Sequence, residues 1–133
     1  LHIPLTYENH QFINRRNLAL MKQNTILINT SRGAIVKTKD LINTLQEGNI
    51  AGYCTDVYEK EKGAFFRDNS KKGINDEQLK ELLSLPNVLL TPHQAYMTHE
   101  ALTNIANITF ENLASWEEGR ECKNELGYET LIF

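Results

Sequence analysis

Apolar residues fall in short blocks along this chain, and polar stretches with helical spacing separate them. TILINT (25–30), IAGYCTDV (50–57) and NVLLT (87–91) are short apolar runs, two of them rich in β-branched residues. Each reads as a strand, and the first is apolar enough on both faces to suit a strand buried between two helix layers. LHIPLT at the start reads as a strand end followed by a turn, with Thr6 able to cap a helix beginning near Tyr7. Residues 7–22 then hold one or two short helical stretches with the apolar pairs Phe12–Ile13 and Leu18–Met21, ended by Asn24. The spacing predicts a helix over 38–47, with Thr38 as N-cap, an inner face of Leu41, Ile42 and Leu45, and Gly48 just past its end. Ala51 and Gly52 are small enough to admit a closely packed helix. Residues 58–75 are polar and irregular, anchored by Phe65 and Phe66. Asp76 opens another helix with Leu79, Leu82 and Leu83 facing inward, and Pro86 stops it. The longest helix covers 98–118, between Thr98 as N-cap and Gly119 as C′ residue. Its apolar positions Leu102, Ile105, Ala106, Leu113 and Trp116 form a narrow stripe, which Ile108 and Phe110 widen onto other faces. Strands alternating with helices in this way imply an α/β fold with a parallel sheet and right-handed crossovers.

Composition narrows the function classes. The chain has 133 residues, 41% hydrophobic and 23% charged, enough for one domain with a core. Fourteen Lys+Arg against seventeen Asp+Glu give a net charge of −3, which argues against a nucleic-acid partner. No apolar run approaches the ~18–20 residues of a membrane span. Cys54 and Cys122 stand far apart, with no CxxC and no histidine pattern beside them, so neither a disulfide framework nor a metal site is expected. A reducing, cytoplasmic setting is the default. The chain starts at Leu1 without a methionine and without a targeting pattern, as a sequence beginning inside a domain would.

In an open parallel sheet, ligands bind beyond the carboxyl ends of the strands. Ser31, Arg32 and Gly33 follow the first run, Asp56, Tyr58, Glu59 and Glu61 the second, and Pro92, His93 and Gln94 the third. All would converge on one edge. A histidine exchanges protons near neutral pH, and a carboxylate beside it favours its charged form. An arginine offers a planar fork that grips a carboxylate. The set suits a reaction on a carbonyl or hydroxyl next to a carboxylate, with Arg32 holding the acid and His93 exchanging the proton. Taken singly, each residue also has a structural reading. Arg32 could form a surface ion pair, Asp56 could cap a turn, and Glu59–Lys62 could be a solvated charge run. His2, His10 and His99 read as structural, Cys54 as a small core residue and Cys122 as an incidental thiol.

LHIPLTYEN, INTSRGAIV, TDVYEKE and LLTPHQA together resemble the motifs of the NAD-dependent D-2-hydroxyacid dehydrogenases, over Leu1 to about Leu126. FFRDNS, HQAYMTHEAL and CKNEL are most similar to the fermentative D-lactate branch of that family. The resemblance implies the second half of a Rossmann-like, doubly wound cofactor domain over 1–96. Residues 97–133 would then be a long helix and tail leading back to a substrate domain. It implies NAD as cofactor, pyruvate or another 2-keto acid as substrate, and a homodimer with neither nucleic acid nor membrane as partner. Arg32 would bind the substrate carboxylate, His93 would donate the proton and Glu61 would pair with His93. Ile3, Pro4, Asn9, Thr30, Ser31 and Asp56 would line the cofactor, and Tyr96 the substrate side chain. A reductase of larger branched-chain 2-keto acids, or a non-catalytic NAD-binding relative, fits the same motifs. Lys37 stands where many members carry an aspartate, at the start of a helix. The family's GxGxxG loop, which seats the pyrophosphate on a helix N-terminus, does not occur in these 133 residues. On this reading Phe65, Phe66, Ile108 and Phe110 would pack partly on chain outside the sequence, and GYETLIF is an apolar tail.

Overall fold

The three apolar runs pair as a parallel sheet in chain order. β1 (Ile26–Asn29) lies beside β2 (Gly52–Thr55), with Ile26 opposite Gly52, and β2 lies beside β3 (Val88–Leu90), with Tyr53 opposite Val88. The computed structural model describes residues 1–66, 68–71 and 73–127, so the tail 128–133 lies outside the described residues. The chain divides into two compact units, Leu1–Ala95 and Tyr96–Phe133.

In the first unit, α1 (Arg15–Leu18) precedes β1, α2 (Thr38–Gln46) lies between β1 and β2, and α3 (Glu61–Ala64) and α4 (Glu77–Ser84) lie between β2 and β3. α2 buries Leu41, Ile42 and Leu45 and ends at Gly48, whose φ of +69° suits glycine. Those three side chains join Ile13, Leu18, Leu27, Ile35, Val36, Ile50, Tyr53 and Leu82 in one core, each large aliphatic contributing about 1.5–3 kcal/mol by its burial. Tyr58, Phe65 and Leu79 form a second cluster. α4 is capped by Asp76, whose Oδ1 accepts the Leu79 N–H at 3.0 Å.

Several expectations need correction. β1 is buried on one face only: Leu27 and Asn29 point into the core, while Ile26 and Ile28 are 59% and 51% exposed. No helix starts at Tyr7. The Asn9 side chain accepts the Thr6 N–H and donates to the Pro4 carbonyl, which closes a turn, and Gln11 then takes a φ of +52°. Helix begins only at Arg15, behind Asn14 as cap, and ends at Leu18. Thr38 is the first helical residue of α2 rather than its cap. Lys37 holds the cap position, where it pairs with Asp40 at 3.3 Å, and the Thr38 N–H is accepted by the distant Glu59 carboxylate at 2.9 Å. Gly52 makes room for a neighbouring strand and not a helix, since a Cβ there would lie 3.0 Å from the Asn87 carbonyl oxygen. Leu83 is exposed, one residue and so ~100° around the helix from buried Leu82. Of the two phenylalanines, only Phe65 anchors the 58–75 stretch; Phe66 is 70% exposed.

In the second unit, α5 (His99–Glu117) is capped by Thr98, whose Oγ1 accepts the Ala101 N–H at 3.1 Å, and Gly119 follows it with a φ of +63°. None of its residues is buried. Cys122 donates to Asn112 Oδ1 at 3.3 Å. Among the described residues, no helix is long and apolar enough to cross a membrane.

Candidate active site

The turn after β1 is organised by Asn29, a polar residue with no exposure at all inside an apolar strand. Its Oδ1 accepts from the Ser31 N–H at 3.1 Å and the Ser31 hydroxyl at 2.9 Å, and its Nδ2 donates to the Arg32 carbonyl at 3.0 Å. The loop Thr30–Arg32 is thereby fixed from beneath, while the Arg32 guanidinium is exposed and bonds to the Ser31 carbonyl at 2.8 Å. Gly33 follows, pressed on the segment after β2: a Cβ there would lie 2.0 Å from the Tyr58 carbonyl carbon. Only glycine lets the two loops approach this closely.

After β3, the chain reverses at His93, whose φ is +51°. Its N–H donates to the Asp56 carbonyl at 2.7 Å. The Asp56 carboxylate accepts from Thr91 Oγ1 at 2.5 Å and from the Gln94 and Ala95 N–H groups at 2.9 Å each. Burial pushes the Asp56 carboxyl up, but the Thr91, Gln94 and Ala95 donors and the His93 charge outweigh it and hold the group below the usual carboxylate range. Glu61, at the start of α3, places Oε1 3.1 Å from His93 Nδ1. Its Oε2 accepts the Tyr58 N–H at 3.2 Å, which fixes the carboxylate against its own loop. Histidine and glutamate are both partly exposed, so a ligand can reach the pair. The Phe66 ring stands beside the imidazole, with centroids 5.9 Å apart.

Glu61, His93 and Asp56 are therefore one hydrogen-bonded group. Arg32 does not touch them; it shares with Glu61 a cavity of about 530 Å³, also lined by Tyr58, Lys60 and Asp76. Burial, then the charges of Asp76 and Glu59, push the Tyr58 phenol well up. Thr30 and Asp56 instead line a shallower depression of about 350 Å³ at the strand ends, floored by Ile28, Cys54 and Leu89. Thr30 Oγ1 lies 3.4 Å from His2 Nδ1. Ile3 and Pro4 are exposed in the opening segment, which the Leu1 nitrogen ties to the Ile28 carbonyl at 2.5 Å. Asn9 is occupied by its own turn, and Tyr96 is exposed at the start of the second unit.

Asn29, which holds this arrangement, escapes a reading by spacing, although it left a signal, one amide in an apolar run. Glu59 is expected at this edge from its place after the second strand, but its holding role left no signal: its carboxylate accepts from Gln11 Nε2 at 2.6 Å and from the Thr38 N–H at 2.9 Å, partners 48 and 21 residues away. Among the described residues no group of three or more side chains could ligate a metal.

The sequence profile of the family described as D-isomer specific 2-hydroxyacid dehydrogenase, NAD binding domain, matches residues 1–95. The chain belongs to the D-2-hydroxyacid dehydrogenases. It is 46% identical over 126 residues to the 2-hydroxyacid dehydrogenase A of Aspergillus oryzae, covering 95% of this chain and 36% of that protein. It is 42% identical over 126 residues to the D-lactate dehydrogenase of Escherichia coli, covering 95% and 38%. It is 40% identical over 125 residues to an aromatic 2-oxoacid reductase of Clostridium sporogenes, covering 94% and 38%. The D-lactate dehydrogenase of Lactobacillus jensenii solved with NAD+ superposes with a TM-score of 0.88 at 31% identity, covering 96% of this chain and 38% of that one. The chain thus spans little more than a third of the length of the curated relatives it matches, 35–38%.

The matching family profile is that of an NAD-binding domain, so the cofactor is NAD, the molecule with which the Lactobacillus jensenii enzyme was solved. The depression at the strand ends fits the flat end of that molecule, with an apolar floor of Ile28, Cys54 and Leu89 and a polar rim of Thr30 and Gln94. No glycine-rich phosphate loop occurs in these 133 residues.

Proposed function

We propose that this chain carries the proton-handling and carboxylate-binding side of a dehydrogenase site that reduces a 2-keto acid, pyruvate foremost, to the D-2-hydroxy acid. The observation that carries this reading is the His93 Nδ1–Glu61 Oε1 contact of 3.1 Å, on a histidine whose backbone is tied to Asp56. Glu61 orients the imidazole through Nδ1 and leaves Nε2 to face the substrate. His93 gives the Nε2 proton to the keto oxygen as the carbonyl becomes a hydroxyl. NADH, when bound, supplies the hydride to the keto carbon. Arg32 grips the substrate carboxylate and stabilises charge developing on the neighbouring oxygen. Asp56 acts by holding the 91–95 loop, since its carboxylate accepts hydrogen bonds from Thr91, Gln94 and Ala95. On this reading Ile3, Pro4, Asn9, Thr30 and Ser31 flank the nicotinamide end, and family likeness alone assigns Tyr96 to the substrate side chain. Family likeness alone supports a cytoplasmic homodimer for the complete protein.

A larger 2-keto acid, aromatic or branched, is the second reading. A relative named for aromatic 2-oxoacids is nearly as similar as one named for D-lactate. Steady-state kcat/KM for pyruvate, phenylpyruvate and 2-ketoisocaproate separates the two. The reading as a whole is tested by His93→Gln in the complete protein. Its kcat is expected to fall by about 10²–10⁴-fold with NADH affinity retained. Unchanged turnover would remove the proton-donor role from His93, and a parent protein with no turnover on any 2-keto acid would be a non-catalytic NAD-binding relative instead.

A further inference from the structure

We infer that Phe66 is a specificity-determining residue, whose ring walls the His93 side of the site and limits the bulk of the side chain on an incoming 2-keto acid. The inference rests on the proposed dehydrogenase reading and adds a selector to it. Phe66 is 70% exposed, so it does not serve the core. Its ring lies 5.9 Å from the His93 imidazole at an interplanar angle of 53°.

A fixed bracket holds the ring there. Phe66 takes a φ of +58°, a region a bulky residue rarely enters. The bracket begins at Glu61 itself. The Phe65 N–H donates to the Glu61 carbonyl at 2.8 Å, and Asn69 Nδ2 holds the Ala64 carbonyl at 2.9 Å. Phe65 is buried with Tyr58 and Leu79, and its ring meets Phe66 edge-on, with centroids 6.4 Å apart. The partner of His93 and the ring beside His93 are thus set by one short turn, α3 and the residues after it. His93 also has a positive φ, of +51°. Two non-glycine residues in the left-handed region meet ring to ring, and strain of this kind collects where a site needs a side chain held in one place. An exposed aromatic held against a proton donor takes space that a substrate side chain would otherwise use.

The test compares Phe66→Gly and Phe66→Leu with the parent in the complete protein, using kcat/KM for pyruvate and phenylpyruvate. Glycine removes the ring and suits the positive φ, so the fold is expected to tolerate it, as a thermal unfolding midpoint will check. The ratio of kcat/KM for pyruvate over phenylpyruvate is expected to fall at least about tenfold in Phe66→Gly and less in Phe66→Leu. A merely structural role would lower both values together and leave the ratio where it was. An unchanged ratio with activity retained overturns the role of Phe66 alone. If the glycine variant does not fold, the leucine ratio decides. If the parent protein reduces no 2-keto acid, the dehydrogenase reading falls and this inference falls with it.

Discussion

Asp56 gathers three hydrogen bonds on one carboxylate. It joins the end of β2 to the loop that carries His93, through one hydroxyl and two backbone N–H donors. These donors favour the carboxylate, and its pKa in the fold lies below the ordinary carboxylate value of ~3.9. A group depressed in this direction stabilises the fold fully above about pH 4, and the contribution fades as pH falls from there through the group's own lower value. Asp56→Asn keeps the shape but has one acceptor oxygen and turns an N–H₂ toward a donor. It is expected to cost about 2 kcal/mol at pH 7, with a smaller difference from the parent near pH 3. Urea unfolding midpoints at the two pH values check this, and an equal gap at both would mean that the charge is not the cause. The sequence showed Asp56 as a candidate because it ends an apolar run. It could not show that the carboxylate is spent on Gln94 and Ala95, because those donors reach it only once β2 and β3 are paired.

At the level of elements, the strands and the two longer capped helices follow closely from local pattern. α4 and α5 begin at Asp76 and Thr98, whose side chains accept the N–H three residues on, a signal contained within four residues of sequence. α2 differs. The Lys37 side chain offers no acceptor to the first turn, and Glu59 supplies one to the Thr38 N–H from the segment after β2. The same carboxylate takes the Gln11 amide, so it locks the turn around residue 11, the start of α2 and the loop that leads to Glu61. Glu59→Ala is therefore expected to lower stability by about 1–2 kcal/mol, well above the effect of a solvated charge. A denaturant midpoint within error of the parent would return Glu59 to the exposed charge run that the sequence suggested. Helix α1 is short for a related reason. Asn9 spends its side chain on a turn that forbids a helix from Tyr7, and propensity does not record such a local bond.

The molecule as a whole leaves apolar surface uncovered. Ile26, Ile28 and Leu89 stand open on one face of the sheet, and α5 buries no residue although Ile105, Phe110 and Trp116 are apolar. With the span of 35–38% of its relatives, this makes the 133 residues a poor candidate for activity by themselves. They hold Arg32, Glu61 and His93, the residues proposed for the chemistry, but no glycine-rich loop to seat a pyrophosphate. The isolated 133-residue chain is expected to give no NADH oxidation with pyruvate above background, read at the nicotinamide absorbance. Measurable turnover would mean that the depression at the strand ends suffices to hold the cofactor.

By itself the sequence determined the α/β class, the parallel sheet, most helix ends and the motif set that names the family. Each of these is set by periodicity or by bonds within a few residues, which a linear pattern records. The tertiary structure decided which face of β1 is covered, that Gly33 must lie flat on Tyr58, and that Phe66 turns out to His93 while Phe65 turns in. It also decided that Glu59 and Asp56 hold loops together. These depend on groups tens of residues apart meeting at one sheet edge, and only the paired strands bring them within hydrogen-bond reach.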